Sequence, residues 1–403
     1  MFSGPPFLFV GSDADIVRSR WALCGCVVVS SDFKICLSAI AAVTFIASVP
    51  TAHAETLGFV LTQWHNAGQF TPDGKVECPN GFNPGHRDNF RAQFNLPKDA
   101  VEDELGANNA ISHRGPNGES DKYSPELIED PLPFHEGKGT VSPGFNLDGT
   151  KDGRATDKTC AHGKFTSPDG EPGIDNQFYR IEACIVGPRP GGVTDGLINN
   201  EVVSKGINRW LVEITGVDDQ TNDDHVEVMF AHGLDKLVRD PNGKFIPGLS
   251  QRVDEDAKDY IFRTTGRIVN HVLITDAIPD LGIGQTRVLE RGVLHFNFAR
   301  FRLSLAGDTA KGVLAGYHDI DKFYRFWAKT TGAHNIVANA SPPSVYAALH
   351  RLADGYKNSA TGECTAISAV YDMEFVRAFI VHRNTATEVS ENIPTQSGTT
   401  AVK

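Results

Sequence analysis

The sequence lacks the short motifs that identify several large classes of enzymes and cofactor proteins. It has no C-x-x-C pair, no H-x-H or H-E-x-x-H pattern, no G-x-S-x-G and no P-loop. These absences argue against zinc ribbons, covalently bound haem, zincin proteases, hydrolases with a nucleophile elbow and P-loop proteins. They weaken an enzyme assignment without excluding one, because the members of a catalytic triad need not be close in sequence.

The sequence also lacks an apolar run of about 20 residues, which a transmembrane helix needs. The stretch LSAIAAVTFIASV at 37–49 has 13 residues, follows Lys34 and precedes A-H-A at 52–54. A basic flank, a short apolar centre and an A-x-A end are typical of a secretory signal peptide. We therefore predict a leader over residues 1–54, a mature chain from Glu55 that is periplasmic or secreted, and no transmembrane segment.

The chain has fewer basic than acidic residues. The chain has 38 Lys and Arg against 50 Asp and Glu, a net charge of −12. An acidic protein gains nothing from the phosphate attraction that drives nucleic-acid binding. We therefore predict no nucleic-acid partner, whereas the charge is compatible with cation binding and favours solubility.

Cysteine is scarce, and three of the seven cysteines fall in the predicted leader. The four that remain are Cys78, Cys160, Cys184 and Cys364. An even number in an oxidising compartment predicts two disulfides, with three possible connectivities. We favour Cys78–Cys184 with Cys160–Cys364, because the second pair ties the N-terminal half to the C-terminal strand. Cross-links that close long loops remove the most entropy from the unfolded chain.

Turn-forming residues crowd the region from 65 to 192, in segments such as CPNGFNPGH and SPDGEPG. Gly, Pro, Asn and Asp suit the positive or fixed φ angles of turns. Only short strands fit between them, and we predict strands at 58–64 and 177–186. Helices are predicted near 87–94 and 97–105, the second because proline suits a first helical turn.

The later part of the chain has the patterns of strands. RWLVEIT at 209–215 and HVEVMF at 225–230 alternate apolar and polar residues, which is typical of half-buried strands, and they form the clearest hairpin. The apolar residues of 293–305 change parity, which predicts a β-bulge near Ala299–Arg300. Further strands are predicted at 260–263, 268–275 and 365–381, and further helices at 194–205 and 342–354.

These patterns predict a mostly β fold, an antiparallel β-sandwich or open barrel with a few short helices. No linker-like stretch separates the halves, so we predict a single domain over residues 55–382. Its loop-rich part is 55–192 and its strand-rich part is 193–382. A Ser- and Thr-rich tail over 383–403 is predicted to be disordered.

Oxygen-bearing side chains are frequent in the segments FNLDGTKDGRATD, from 145, and GIDNQ, from 173. Calcium binds six to eight oxygens from carboxylates and carbonyls, so these segments suggest a calcium site. The candidate ligands are Asn146, Asp148, Asp152, Asp175 and Asn176. The spacing does not match an EF-hand, because Thr159 stands where that loop needs a glutamate. The alternative is that these side chains hydrogen-bond the backbone of turns.

The segment GYHDIDKFYRFW, from 316, places aromatic residues beside carboxylates. Such a combination suits a sugar, which stacks on aromatic faces and hydrogen-bonds to carboxylates. The candidate ligand-binding residues are Tyr317, Asp319, Asp321, Tyr324 and Trp327. Asp319 and Asp321 are the first pair to consider for a glycosidase, which needs two carboxyl groups about 5–9 Å apart. The alternative is that the aromatic residues are part of the core.

Three segments resemble a group of uncharacterised exported bacterial proteins. They are ECPNGFNPG from 77, DGEPGIDNQFYRIEAC from 169 and TGECTAISAVY from 361. The shared pattern is ECPxGFNP … DGEPGIDNQ-Y-R … C, and the likeness covers most of the mature chain. The resemblance implies export and carries no activity or ligand.

The leading hypothesis is therefore an exported, non-catalytic β protein that is stabilised by calcium and binds a polar ligand such as a glycan. One alternative is a secreted glycan hydrolase that uses paired carboxylates. Another is an envelope structural or assembly protein whose strand edges bind a partner.

Overall fold

The computed structural model describes residues 54–68, 77–98, 112–185, 187–188, 192–204, 206–287, 290–330 and 340–383. All of them belong to one compact unit, Ala52–Lys403. The strands are β1 (Glu55–Asn66), β2 (Phe165–Thr166), β3 (Pro172–Ile174), β4 (Trp210–Val217), β5 (Asn222–His232), β6 (Leu249–Arg252), β7 (Phe262–Val269), β8 (Val272–Thr275), β9 (Ile278–Arg287), β10 (Glu290–Ala306), β11 (Thr309–Asp319), β12 (Gly355–Lys357) and β13 (Cys364–Val381). The α-helices are α1 (His86–Phe94), α2 (Tyr179–Glu182), α3 (Val193–Ser204), α4 (Ile320–Thr330) and α5 (Pro342–Arg351). Short 3-10 turns lie at Pro125–Leu127, Gly206–Asn208 and Lys258–Tyr260.

Eight antiparallel strands form a closed barrel in the order β1-β4-β5-β7-β8-β10-β11-β13. The sheet closes because β1 pairs with both β4 and β13. β9 pairs with the N-terminal half of β10, β12 pairs with β13, and β6 adds to the end of β13. The predicted mostly β, antiparallel fold with few helices is confirmed. Its architecture is a barrel rather than a sandwich, and the barrel is closed rather than open.

Alternation along the strands separates the main core from a second apolar layer. Trp210, Val212 and Ile214 of β4 pack in the main core, whereas Leu211 between them packs in the smaller cluster on the other face. The predicted hairpin of β4 with β5 is confirmed, with Val212 opposite Phe230. The period-2 pattern therefore reports real burial on one face of the strand.

Two predicted strands are wrong in detail. Residues 268–275 contain the end of β7 and all of β8, joined by a turn in which Asn270 and His271 have φ angles of 51° and 63°. Positive φ at both turn positions is typical of a tight two-residue hairpin, and Asn tolerates it well.

The predicted strand at 177–186 is instead a short helix, α2. Phe178, Ile181 and Ile185 are all buried, and their spacing of three and four residues is the period of a helix. The run was too short for its periodicity to be distinguished from that of a strand. The predicted helix at 97–105 lies mostly outside the described residues, and Pro97 and Lys98 are not helical. The predicted helix at 87–94 is confirmed as α1.

The predicted β-bulge is confirmed in β10. The pairing of β10 with β11 changes register between Asn297 and Arg300, and Phe298 has a φ of 53°. The bulge allows Phe296 and Phe301, which differ in parity, both to lie in the core.

Two disulfides hold the loop-rich region together. They join Cys78 to Cys184 and Cys160 to Cys364, the pairing that the sequence analysis favoured. Cys160 also donates its backbone N–H to the carbonyl of Asp354, just before β12, at 2.9 Å, and its disulfide attaches the same loop to the start of β13. Disulfides are typical of proteins in an oxidising, extracytoplasmic compartment.

The predicted leader and tail lie almost wholly outside the described residues. No helix in the described part of the chain is both long and apolar enough to cross a membrane.

Replacing Cys160 and Cys364 with serine should lower the free energy of unfolding by about 2–5 kcal/mol, because the cross-link closes a long loop. The closed segment spans 204 residues. Equilibrium urea unfolding without reductant measures the effect. A loss below about 1 kcal/mol would contradict a stabilising role for this bridge.

The stability of the fold should depend on the protonation of His65. His65 of β1 and Asp195 of α3 form an ion pair of 2.7 Å. This hydrogen bond raises the pKa of His65, burial opposes the rise, and Asp372 and Glu374 add to it. The pair's contribution is therefore full below the unfolded pKa of about 6.5 and is lost as pH rises through the higher folded value.

His65→Gln should accordingly cost more stability at pH 6 than at pH 9, by no more than about 1 kcal/mol because the ring is partly exposed. Urea unfolding of both proteins at the two pH values tests this. An equal loss of stability at both pH values would show that the contribution of the ion pair does not depend on the charge of His65.

Candidate functional site

Asp175, Asn176 and Gln177 follow β3 and are all buried, but their side chains point to different partners. The Asn176 amide donates to the Ser142 hydroxyl at 2.8 Å and to the carbonyl of Ala67 at 3.3 Å. The Gln177 amide donates to the carbonyl of Gly163 at 3.1 Å. Asn176 and Gln177 therefore connect neighbouring loops, as the turn interpretation expects.

Asp175 belongs to a buried cluster with Asp148 and His162. The Nε2 atom of His162 lies 3.3 Å from Asp148 Oδ2 and 3.3 Å from Asp175 Oδ1. All three side chains are at most 2% exposed, and one donor atom from each lies within 4.8 Å of the others. A group of this kind is compatible with a bound metal ion or with a protonated histidine.

The second oxygen of Asp175 is held by the backbone. Asp175 Oδ2 accepts the N–H groups of Leu147 at 2.6 Å and Asp148 at 3.1 Å. Asp175 Oδ1, which faces His162, makes no hydrogen bond although it is buried. A buried oxygen without a hydrogen bond is costly, so this atom would be stabilised by a cation or by a hydrogen-bond donor.

The electrostatics of the cluster agree with that requirement. Burial raises the pKa of Asp175 to about 7, and the charge of Asp148 adds to the rise. Burial also raises the pKa of the nearby Asp354 to about 6, against hydrogen bonds from Ser368. Burial lowers the pKa of His162, but the Gly163 carbonyl and the surrounding carboxylates outweigh it and the pKa is raised. Three acidic side chains, Asp148, Asp175 and Asp354, therefore influence one imidazole, and burial favours the neutral forms of Asp175 and Asp354.

The structure brings together two of the five predicted metal ligands, Asp148 and Asp175. Asn146 stays within its own loop, where its side chain accepts the N–H of Gly149 at 2.6 Å and donates to the carbonyl of Thr150 at 2.7 Å. Asp152 lies at the surface in an ion pair with Arg154, and Asn176 hydrogen-bonds as described above. The fold therefore does not bring the five predicted oxygen ligands together.

Sequence reasoning missed His162. It stands alone in CAHGKF, with no partner at metal-ligand spacing. The available signal was its position two residues after Cys160, which the favoured disulfide ties to the start of β13.

Asp148 also lines an open cleft of about 900 Å³. Its aromatic wall consists of Phe298, Tyr317 and Tyr356. The ring centroids of Phe298 and Tyr356 are 6.0 Å apart, and those of Tyr317 and Tyr356 are 5.8 Å apart. Asp148 of the predicted metal-binding segment and Tyr317 of the predicted aromatic segment thus line the same cleft.

Charged groups complete the cleft. Its remaining lining includes Arg300, Asp157, Asp276, Lys158 and Lys357. The mixture of aromatic rings with charges of both signs resembles the lining of sites for polar organic ligands.

Two of these aromatic residues have unusual backbones. Phe298 and Tyr356 have φ angles of 53° and 55°, in the left-handed region that bulky residues rarely adopt. Their side chains are nonetheless 51% and 39% exposed. Complete burial therefore does not offset the backbone strain at these two residues. Strained residues of this kind often lie at functional sites.

The other residues predicted for ligand binding lie elsewhere. Asp319 caps α4, where it accepts the N–H of Lys322 at 2.9 Å. Asp321 is exposed and lines a separate cleft with Tyr324, whose hydroxyl donates to the carbonyl of Lys122. Trp327 is buried in the core. Of the five candidates, only Tyr317 lines the aromatic cleft, and the core alternative is correct for Tyr324 and Trp327.

No protein family, curated protein or solved structure matches this chain. The resemblance to exported bacterial proteins therefore stays a prediction.

The strained backbone at Phe298 yields a stability test. Phe298→Gly should be more stable than Phe298→Ala by about 0.5–1 kcal/mol, because only glycine adopts this φ without a steric cost. Urea unfolding of the two variants measures the difference. If the alanine variant is the more stable, the left-handed backbone is not a source of strain.

Proposed function

We propose that this protein is an exported, non-catalytic binding protein that holds a polar ring compound, such as a glycan, in the aromatic cleft. The observation that carries the proposal is the pair Phe298 and Tyr356. Both rings are partly exposed, both lie on strained backbone, and their centroids are 6.0 Å apart with the ring planes tilted by 34°. Placing large apolar rings in this way costs stability, and a ligand that stacks on them would repay that cost.

The chemistry of the lining supports a sugar-like ligand. A sugar ring has apolar C–H faces and a rim of hydroxyl groups. Phe298 and Tyr356 offer aromatic faces for the first, and Arg300, Asp276 and Lys357 offer hydrogen bonds for the second.

The hydrolase alternative has weaker support. A glycosidase needs two carboxyl groups that flank the scissile bond. Asp148 lines the cleft, but its neighbour Asp175 is fully buried and does not. The predicted pair Asp319 and Asp321 does not line this cleft, and one of the two caps a helix.

Export remains part of the proposal. The two disulfides support an oxidising compartment, and a periplasmic or secreted location would supply both that compartment and access to glycans. The proposed calcium ion has less support from the buried cluster, because calcium favours oxygen ligands and His162 contributes nitrogen.

A glycan array followed by calorimetry with the best soluble ligand tests the function. Phe298→Ala and Tyr356→Ala should each weaken binding about tenfold, since a lost stacking partner costs on the order of 1 kcal/mol.

Phe379→Ala is the matched control, because Phe379 is an aromatic residue on β13 that is 67% exposed and does not line the cleft. It should bind as the unchanged protein does. The proposal is wrong if no glycan binds, or if the control loses as much affinity as the cleft variants.

A further inference from the structure

We propose that Asp148, His162 and Asp175 bind one divalent metal ion of the zinc class. The inference does not depend on which ligand occupies the cleft, because its test uses the metal alone.

The tautomer of His162 leaves one nitrogen for the metal. Its Nδ1 atom lies 2.9 Å from the carbonyl oxygen of Gly163. A carbonyl oxygen only accepts hydrogen bonds, so Nδ1 carries the hydrogen and Nε2 presents its lone pair when the ring is neutral. The Gln177 amide donates to the same carbonyl and so fixes its position. A hydrogen bond donated by the far ring nitrogen to a backbone carbonyl is a usual support for a metal-binding histidine.

The alternative is a protonated His162 that bridges the two carboxylates. Charge-assisted N–H···O bonds are about 2.7–2.9 Å long. Both distances here are 3.3 Å: the contact with Asp148 Oδ2 is a long hydrogen bond, and the contact with Asp175 Oδ1 is not a hydrogen bond. Ligand atoms around a tetrahedral zinc ion with bonds of about 2.0–2.1 Å are roughly 3.3–3.4 Å apart. The two separations from Nε2 therefore fit neighbouring metal ligands better than they fit charge-assisted hydrogen bonds, and the donor atoms of Asp148 and Asp175 lie within 4.8 Å of each other.

Each carboxylate is oriented by a second layer of donors. The backbone N–H groups of Leu147 and Asp148 hold Asp175 Oδ2, which leaves Oδ1 directed at His162. The Thr150 hydroxyl donates to Asp148 Oδ2 at 3.1 Å, and the Thr150 N–H donates to Asp148 Oδ1 at 2.7 Å. Such support reduces the cost of ordering the ligands when the ion binds.

The donor set selects the class of ion. One imidazole nitrogen with two carboxylate oxygens suits zinc, manganese or iron, whereas calcium and magnesium favour oxygen alone. Three protein ligands leave at least one coordination position for another group. Asp148 lines the cleft, so the proposed metal site lies beside it.

The experiment is calorimetric titration of the oxidised protein, stripped with EDTA and then freed of chelator, with zinc, manganese or calcium chloride. We expect one equivalent of zinc to bind at least 100-fold more tightly than calcium. The midpoint of thermal unfolding should rise by several degrees with zinc, because the ion binds only the folded state. Asp175→Asn and His162→Gln should each weaken zinc binding at least 100-fold.

Asp152→Asn is the matched control, since it removes a surface carboxylate from the same region outside the cluster. His225→Gln removes an exposed histidine beside Glu227 and controls for zinc bound at the surface. Both should bind zinc normally. Because the buried variants can fail to fold, cobalt(II) is added to the unchanged protein as a second measurement. Visible bands of a low-coordinate cobalt site, abolished by one equivalent of zinc, are expected.

The proposal is overturned if the unchanged protein binds no zinc and gives no such cobalt bands. Preferential binding of calcium would overturn it too, as would full zinc binding by folded His162→Gln or Asp175→Asn protein. None of these outcomes bears on glycan binding to the aromatic wall, so the two proposals fail separately.

Discussion

The pairing of β1 with β13 is the contact on which the rest of the fold depends. It joins the two ends of the described chain: the Thr62 hydroxyl donates to the carbonyl of Glu374, 312 positions further along. Because β1 also pairs with β4, this contact closes the barrel and removes the edges that an open sheet would leave. It also decides where the loop-rich region lies. The chain leaves β1 and enters β4 at the same end of the barrel, next to the start of β13.

The candidate site is a consequence of that placement. The N–H of Phe178 donates to the carbonyl of Ser368 in β13, and the Cys160–Cys364 disulfide attaches the loop of His162 to the same strand. Two loops that bear Asp175 and His162 are thus held against one rigid strand. Sites supported by regular elements keep their geometry better than sites on free loops.

Two buried carboxyl groups at this end of the barrel differ in the hydrogen bonds that their oxygens accept. Asp354 receives hydrogen bonds from the Ser368 hydroxyl at 2.6 Å and the Ser368 N–H at 2.7 Å, as a structural carboxyl group should. Asp175 directs one oxygen at His162 without a hydrogen bond. Burial penalises the charged forms of both groups, so the difference marks Asp175 as the carboxyl group with an unsatisfied oxygen.

The elements were largely predictable from the sequence because their causes are local. Alternation located β4 and β5, the change of parity located the bulge in β10, and proline and leucine spacing located α5. The segment that forms the short helix α2 was predicted as a strand because so short an apolar run does not distinguish the two periods. The closure of the sheet was not predictable, since it depends on which distant strands become neighbours.

The candidate site likewise has features that the sequence determines and features that depend on the packing of distant segments. Composition by itself determined the disulfide-forming cysteines, the oxygen-rich loops and the aromatic segment, because residue type limits what chemistry a side chain can perform. Only the tertiary structure decided that Asp148 and Asp175 meet at His162, that Asp152 does not join them, and that Tyr317 faces the cleft while Trp327 enters the core. The reason is physical: a ligand set is defined by distances of a few ångströms, and the packing of segments far apart in sequence sets those distances.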